Sequence, residues 1–440
     1  MRRRAGRLLL AAQTAVMLVL AAGAPADAAG AHQPRTPIRH FVYLMQGDRT
    51  FDQYFGTYPG ADGLPADTCQ ARDLAHPHKG CVKPYALHGK AAPAAALAAG
   101  KTVIERQYDG GKMDGFVAAY ERQGRDGAAA MGHYDRRDLP FYWNAADRYQ
   151  LFDHFFASAR QGTRADRAYW VAGGAALSGR TTIFDRLQAA GVSWKFYVED
   201  YDPKQTFRQR SEGDPATQTV RVPLLDSPRF VDDPELRGHI VDLNQYYVDL
   251  EHGRLPAVAY IASSGAGERS ARSVPAGQRL VRNLTTQLML SGYWNSSALL
   301  WSYDGSGGWY DHVAPPPGYG FRVPALLVSP YVPRGRVEHT VFDATSALRF
   351  VEENWGLKAL GGRDTKATSL GRAFDFRNGP RPADIIPATT TAPVALRPVR
   401  SAMVYGVYGG AVGIAALLVL TAAVGQRLTK GVRSWRRRAR

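Results

Sequence analysis

The chain has little cysteine, two residues in 440, and it is short of acid, with 39 Asp and Glu against 55 Lys and Arg. Two cysteines cannot staple a chain this long. In an oxidising compartment Cys69 and Cys81 most simply close one short loop as a disulfide, which tunes local stability only. A Cys/His metal site with the intervening His76 and His78 is the other reading, although structural zinc sites favour tighter, repeated Cys spacing. No internal repeat is evident. The acid deficit is also uneven. Residues 1–30 hold four Arg against one Asp, and residues 377–440 hold ten Arg and one Lys against one Asp. Of the formal +16, the body therefore carries only about +3. The high pI belongs to the ends, so it does not argue for a nucleic-acid partner.

Long uncharged apolar runs are rare too, and the two that stand out lie at these ends. Arg2, Arg3, Arg4 and Arg7 precede an apolar run that closes on Ala26-Asp27-Ala28, a small-residue cleavage site. This reads as a signal peptide over 1–29. Residues 403–425 hold no charge, enough for one transmembrane helix, and Arg427 to Arg440 follow as a basic cytoplasmic tail over 426–440. The Pro/Thr/Ala-rich stretch 377–402 cannot bury a core and reads as a linker. The expected arrangement is a single-pass protein of the cell membrane, globular part outside.

Residues 30–376 form the body. Short runs rich in β-branched and aromatic residues at 38–45, 192–198, 257–261, 298–303 and 324–329 predict buried strands. Segments 182–190, 278–290 and 345–355 predict helices between them. Strands alternating with helices predict an α/β fold, a mainly parallel sheet sandwiched by helices. The glycine-flanked segment 110–132 predicts a helix lying as a lid over the sheet.

In such folds, chemistry collects where strands run into loops. The first strand runs into Gln46-Gly47-Asp48-Arg49-Thr50-Phe51-Asp52, two acids and an Arg that suit a metal or phosphate, or else a helix start capped by Asp48. The run at 298–303 delivers Asp304, then a glycine turn, then Asp311-His312, oxygen and imidazole donors close together. Thr163 follows Gly162 ahead of a predicted helix, among Arg160, Arg164 and Arg167. It is placed to attack a phosphate held at a helix N-terminus, or simply to cap the helix.

Taken in order, these segments resemble a known family. Residues 38–56 are similar to its opening strand and Glu-Asn-Arg-Ser-Phe-Asp-x-Tyr-Phe-Gly motif, and 111–116, 131–135, 138–142, 182–187 and 191–195 to later landmarks. Residues 255–258, 304–313, 320–325, 337–340 and 346–350 complete the match. The family is the bacterial phosphoesterases that include phospholipases C and acid phosphatases, with an alkaline-phosphatase-like fold. The resemblance implies a phosphate-ester substrate, such as a phospholipid, and a covalent phospho-enzyme assisted by a divalent metal ion. It implies Thr163 as nucleophile, Asp48 and Asp304 as metal ligands, and His312, His339 and Asp311 in the catalytic pocket; Arg164, beside Thr163, and Arg269 are, by their own charge, the candidate phosphate binders. Departures stand beside these. Gly47 and Gly305 replace carboxylates, Asp48 and Asp166 replace Asn, and Arg269 stands where a His is usual. Loss of two carboxylates weakens a hard-cation site, so the alternative expectation is a catalytically impaired protein that binds an anionic ligand or partner.

Overall fold

A computed structural model describes residues 32–88, 97, 100–160, 162–209, 217–269 and 273–389. The expected signal peptide, transmembrane helix and basic tail lie outside them. Among the described residues, no helix is long and apolar enough to cross a membrane.

The centre is an eight-stranded sheet: β1 His40–Gln46, β2 Gln150–Phe152, β3 Trp194–Val198, β4 Ile240–Asp242, β5 Val258–Ala262, β6 Ser297–Tyr303, β7 Ala325–Val328 and β8 Arg336–Glu338. The order across the sheet is β8-β2-β7-β6-β1-β5-β3-β4. Every pairing is parallel except those of β7 with β6 and β2. The mixed α/β fold with a mostly parallel sheet is the expected one. All seven residues of β6 and six of β1 are buried, as a strand covered on both faces requires, which is why these segments read as continuous apolar runs.

Helices cover the faces: α1 Phe51–Phe55, α2 Phe116–Glu121, α3 Pro140–Arg148, α4 Thr163–Ala172, α5 Ile183–Ala189, α6 Val274–Leu290 and α7 Ala344–Asn354. Two start on reciprocal capping boxes, Thr182 with Asp185 for α5 and Asp343 with Ser346 for α7, each satisfying backbone donors that a helix start leaves open. Trp170 of α4 stacks on Tyr260 of β5 and meets Tyr43 of β1 edge-on, which fixes α4 against the sheet centre.

Two expectations change. The helix in segment 110–132 is α2, but Phe116 packs edge-on against Tyr310 and tilted against Phe321 inside a second apolar cluster, so it is core rather than lid. The stretch 377–389, read as the start of a linker, lies along the body. Asn144 donates to the carbonyls of Pro387 and Thr389, Arg381 N to Pro330 O, and Ile386 is buried. Cys69 and Cys81 form the disulfide.

Candidate functional site

β1, β5 and β6 are parallel neighbours, with Gln46 beside Tyr303 and Met45 beside Ala262, so their C-terminal ends lie on one rim. Each strand hands a charged residue to that rim. After β1 comes Asp48, whose backbone is left-handed (φ 63°), a conformation that Asp tolerates better than most side chains. Asp48 does not cap α1; Thr50 does, its hydroxyl accepting from Gln53 N. After β6 comes Asp304, and after β5 the loop 263–268 delivers Arg269.

The three meet. One terminal nitrogen of Arg269 donates to Asp48 Oδ2, and the other to Asp304 Oδ2 at 2.7 Å. A second guanidinium arrives from α4: Arg167 Nε donates to the same Asp304 oxygen at 2.8 Å, while its terminal nitrogens bond Met45 O and Arg221 O. Burial alone would lower the Arg269 pKa, but Asp304 and Asp48 outweigh it and raise it. Burial raises that of Asp48 against the pull of Arg269. Burial, then the neighbouring Arg167 and Arg269, brings Arg221 down to about 10.

What aims Arg269 is the residue before it. Glu268 is fully buried and left-handed (φ 63°). The hydroxyls of Tyr54 (2.6 Å), Tyr303 (2.9 Å) and Tyr142 donate to its carboxylate, and Arg49 donates to its carbonyl. Burial lifts the Glu268 carboxyl to about 7 despite these donors. Gly277 on α6 is needed there, because a Cβ at that position would run into the Glu268 side chain.

Thr163 is the first residue of α4. Gly162, at φ 95°, occupies the cap position and no side chain caps the helix, so Thr163 is not spent as a cap. A spacing of four puts Thr163 on the same helix face as Arg167, the face turned to Asp304. Asp166 is buried and accepts from Ser158 N and Ala159 N; burial, then Asp304, pushes it up to about 8. Arg164, expected at the phosphate, is half exposed and pairs with Asp226 at 2.5 Å. Arg167 stands at the rim in its place.

The residues at Asp48 and Asp304 do not fit a divalent metal ion. Two carboxylates face two guanidiniums, so the pair is already neutralised. The space is filled as well: a Cβ added at Gly47 would lie 2.8–2.9 Å from Arg269 Cγ, Cζ and Nε. The absent side chain at 47 and the guanidinium from 269 thus use the same volume. Asp48 and Asp304, expected as metal ligands, are here engaged by Arg269 and Arg167.

His312, His339 and Asp311 are brought to a second group, which shares no hydrogen bond or ion pair with the first among the described residues. Buried Arg322 binds Asp311 through Nε (3.1 Å) and Asp52 through Nη2 (2.8 Å). His312 Nδ1 sits 2.7 Å from Asp52 Oδ2, and burial's lowering of its pKa is overcome by that bond and the nearby acids. His339 Nδ1 is 2.7 Å from Asp153 Oδ2 and His154 Nδ1 is 3.0 Å from Asp153 Oδ1. Asp62 approaches His312 Nε2 at 3.2 Å and His154 Nε2 at 3.5 Å. Asp52–Asp311–His312 and Asp153–His154–His339 each gather ligand atoms that could hold a metal ion, as do His88, Asp135 and Asp138 elsewhere. The sequence reading missed Asp62, Asp153, His154 and Arg322. The Asp153-His154 dipeptide following a short apolar run was the available signal.

Thr163 opens a helix, and Arg167 and Arg269 meet Asp304 at the carboxyl ends of parallel strands, in an α/β protein. The chain belongs to the Phosphoesterase family, whose model matches residues 38–358, and it is a hydrolase of phosphoester bonds. It is 27% identical over 438 residues to phospholipase C B of Mycobacterium tuberculosis, covering 79% of this chain and 80% of that protein. It is 26% identical over 415 residues to non-specific phospholipase C1 of Arabidopsis thaliana, covering 80% and 73%. Among solved structures it is similar to an alkaline phosphatase superfamily protein from Vibrio parahaemolyticus, with TM-score 0.37, 12% identity and 76% and 71% covered.

Proposed function

We propose that this is a cell-surface, phospholipase C-like phosphoesterase that cleaves phosphate mono- or diesters with Thr163 as nucleophile. The observation that carries the reading is Thr163 opening α4 on the face of Arg167, beside the rim where Arg167 and Arg269 converge on Asp304. The Thr163 oxygen attacks phosphorus and its proton leaves with the departing alcohol; water then cleaves the phospho-threonine ester, releasing phosphate from a monoester or a phosphomonoester from a diester. The N-terminus of α4 and the two guanidiniums offer the phosphoryl oxygens positive charge. Relatives named phospholipases C support a lipid phosphodiester, and the uncharged run 403–425 with its basic tail supports a membrane location.

The engagement of Arg269 by two carboxylates favours a second reading, in which the rim binds an anion without turning it over. One assay separates the two. The full-length protein is given p-nitrophenyl phosphate and p-nitrophenylphosphocholine, with and without chelator. The hydrolase reading expects release of p-nitrophenol that survives chelation of the rim and falls about 10³-fold or more in Thr163→Ala. Phosphate binding with no release in the wild type leaves the second reading.

A further inference from the structure

Glu268 and Arg269 are neighbours in sequence with different destinations. Around the left-handed backbone at 268, the acid turns into the protein and the guanidinium reaches Asp48 and Asp304. A glutamate seldom takes that conformation unless its surroundings impose it. Here Tyr54 of α1, Tyr142 of α3 and Tyr303 of β6 each donate to its carboxylate. The rings also brace one another: Tyr54 stacks on Tyr142 at 6.1 Å and meets Tyr303 edge-on at 5.6 Å.

Filling space does not explain this arrangement. Burying a carboxylate is costly, and an apolar side chain would occupy the same volume without that penalty. Instead three elements supply hydroxyls, and α6 carries Gly277 where any Cβ would run into the acid. The backbone is fixed as well. Gly47 N donates to Gly267 O at 2.9 Å, and Arg49 donates to Glu268 O with its guanidinium 5.3 Å from the centre of the Trp309 ring. The loops after β1 and β5, which carry Asp48 and Arg269, are thereby tied to each other. What all these bonds hold constant is the point from which the Arg269 side chain starts.

We propose that Glu268 is a positioning residue for phosphoester cleavage: its tyrosine cage fixes the aim of Arg269, and the acid itself touches no substrate. The proposal rests on the reading of the rim as the phosphoryl site. A guanidinium that stabilises charge developing on a phosphoryl group works only from a set place, and a misplacement of about 1 Å can lose about 10²-fold in rate. Loosening Glu268 therefore acts through Arg269.

The test is a double-mutant cycle on the full-length protein, with p-nitrophenyl phosphate and p-nitrophenylphosphocholine as substrates. kcat and KM are measured for the wild type, Glu268→Gln, Tyr142→Phe, Arg269→Gln and the pair Glu268→Gln with Arg269→Gln. Glu268→Gln is expected to lower kcat/KM about tenfold or more, with kcat carrying most of the loss, and Tyr142→Phe to lower it less. Beside Arg269→Gln, the Glu268 change is expected to add less than about twofold, because its route to the substrate is gone. Glu352→Gln is the control. That carboxyl on α7 is likewise pushed up to about 7 by burial, and it accepts from Leu360 N, not from any group of the rim. Its kcat/KM is expected to stay within about twofold of the wild type. Circular dichroism identifies variants that keep the fold, and Tyr142→Phe, which removes one hydroxyl and keeps the ring, carries the test if Glu268→Gln unfolds. Calorimetry with inorganic phosphate is run on the same set. A wild type that binds phosphate without releasing p-nitrophenol sinks the hydrolase reading, and the same coupling is then read in phosphate affinity. The proposal is overturned by unchanged kinetics and phosphate affinity in folded Glu268→Gln and Tyr142→Phe, by additive effects of Glu268→Gln and Arg269→Gln, or by an equal loss in Glu352→Gln. A wild type that neither turns over substrate nor binds phosphate overturns both readings.

Discussion

The Arg269 rim and the histidine group are built from similar parts and balance their charge in opposite ways. At the rim, two carboxylates meet two guanidiniums that the chain itself supplies. In the histidine group, four carboxylates meet one guanidinium and several imidazoles. The first relies on guanidiniums, whose charge is fixed; the second leans on imidazoles paired with Asp52, Asp62 and Asp153, whose charge follows pH.

Substitutions at the two arginines probe this difference most strongly. Arg322→Ala leaves buried Asp52 and Asp311 without their guanidinium, and about 3–5 kcal/mol of stability is expected to go, read by urea denaturation. Arg269→Ala should cost less, about 1–3 kcal/mol, because Arg167 still pairs with Asp304. It should also open the rim to ions, so that Ca²⁺ or Mn²⁺ raises the melting temperature of this variant more than that of the wild type. Equal responses to the ions in both proteins would remove the distinction drawn between the two groups.

Gly47 sharpens the contrast further. Gly47→Glu places a side chain into the Arg269 volume and should destabilise the wild type, yet be better tolerated beside Arg269→Ala. A double-mutant coupling of about 1 kcal/mol or more is expected. A smaller, pH-dependent effect belongs to Glu268. Its folded value of about 7 lies above the ordinary 4.5, so the native state binds the proton more tightly than the unfolded chain. Through this group stability falls as pH rises from about 4.5 to 7 and is flat beyond, by up to about 3 kcal/mol. Glu268→Gln should reduce the difference between urea midpoints at pH 5 and pH 8.

Much of this molecule was legible before its coordinates. β1, β3, β5, β6 and β7 stood out because strands covered on both faces need apolar runs. β2, β4 and β8, three residues each, were too short to show any period. At the site, Thr163, Asp304 and Asp48 were visible because each directly follows a strand or precedes a helix. Of the histidine group, Asp52, Asp311, His312 and His339 stood out singly, but their assembly did not, since its pairings join residues far apart in sequence: Asp52 with His312 and Asp153 with His339. Local spacing carries no trace of such contacts. Arg164 and Arg167 lie on one helix three residues apart, and only packing decides that the first faces solvent and the second Asp304.

The tyrosine-held Glu268 has one more consequence. A metal cofactor is in exchange with its surroundings, so the fraction of active molecules follows the supply of the ion. The cations at this rim, Arg167 and Arg269, are delivered by translation, and their side-chain entropy is lost during folding rather than at each encounter with substrate. The rim's charge is therefore the same in an ion-starved medium as in a rich one.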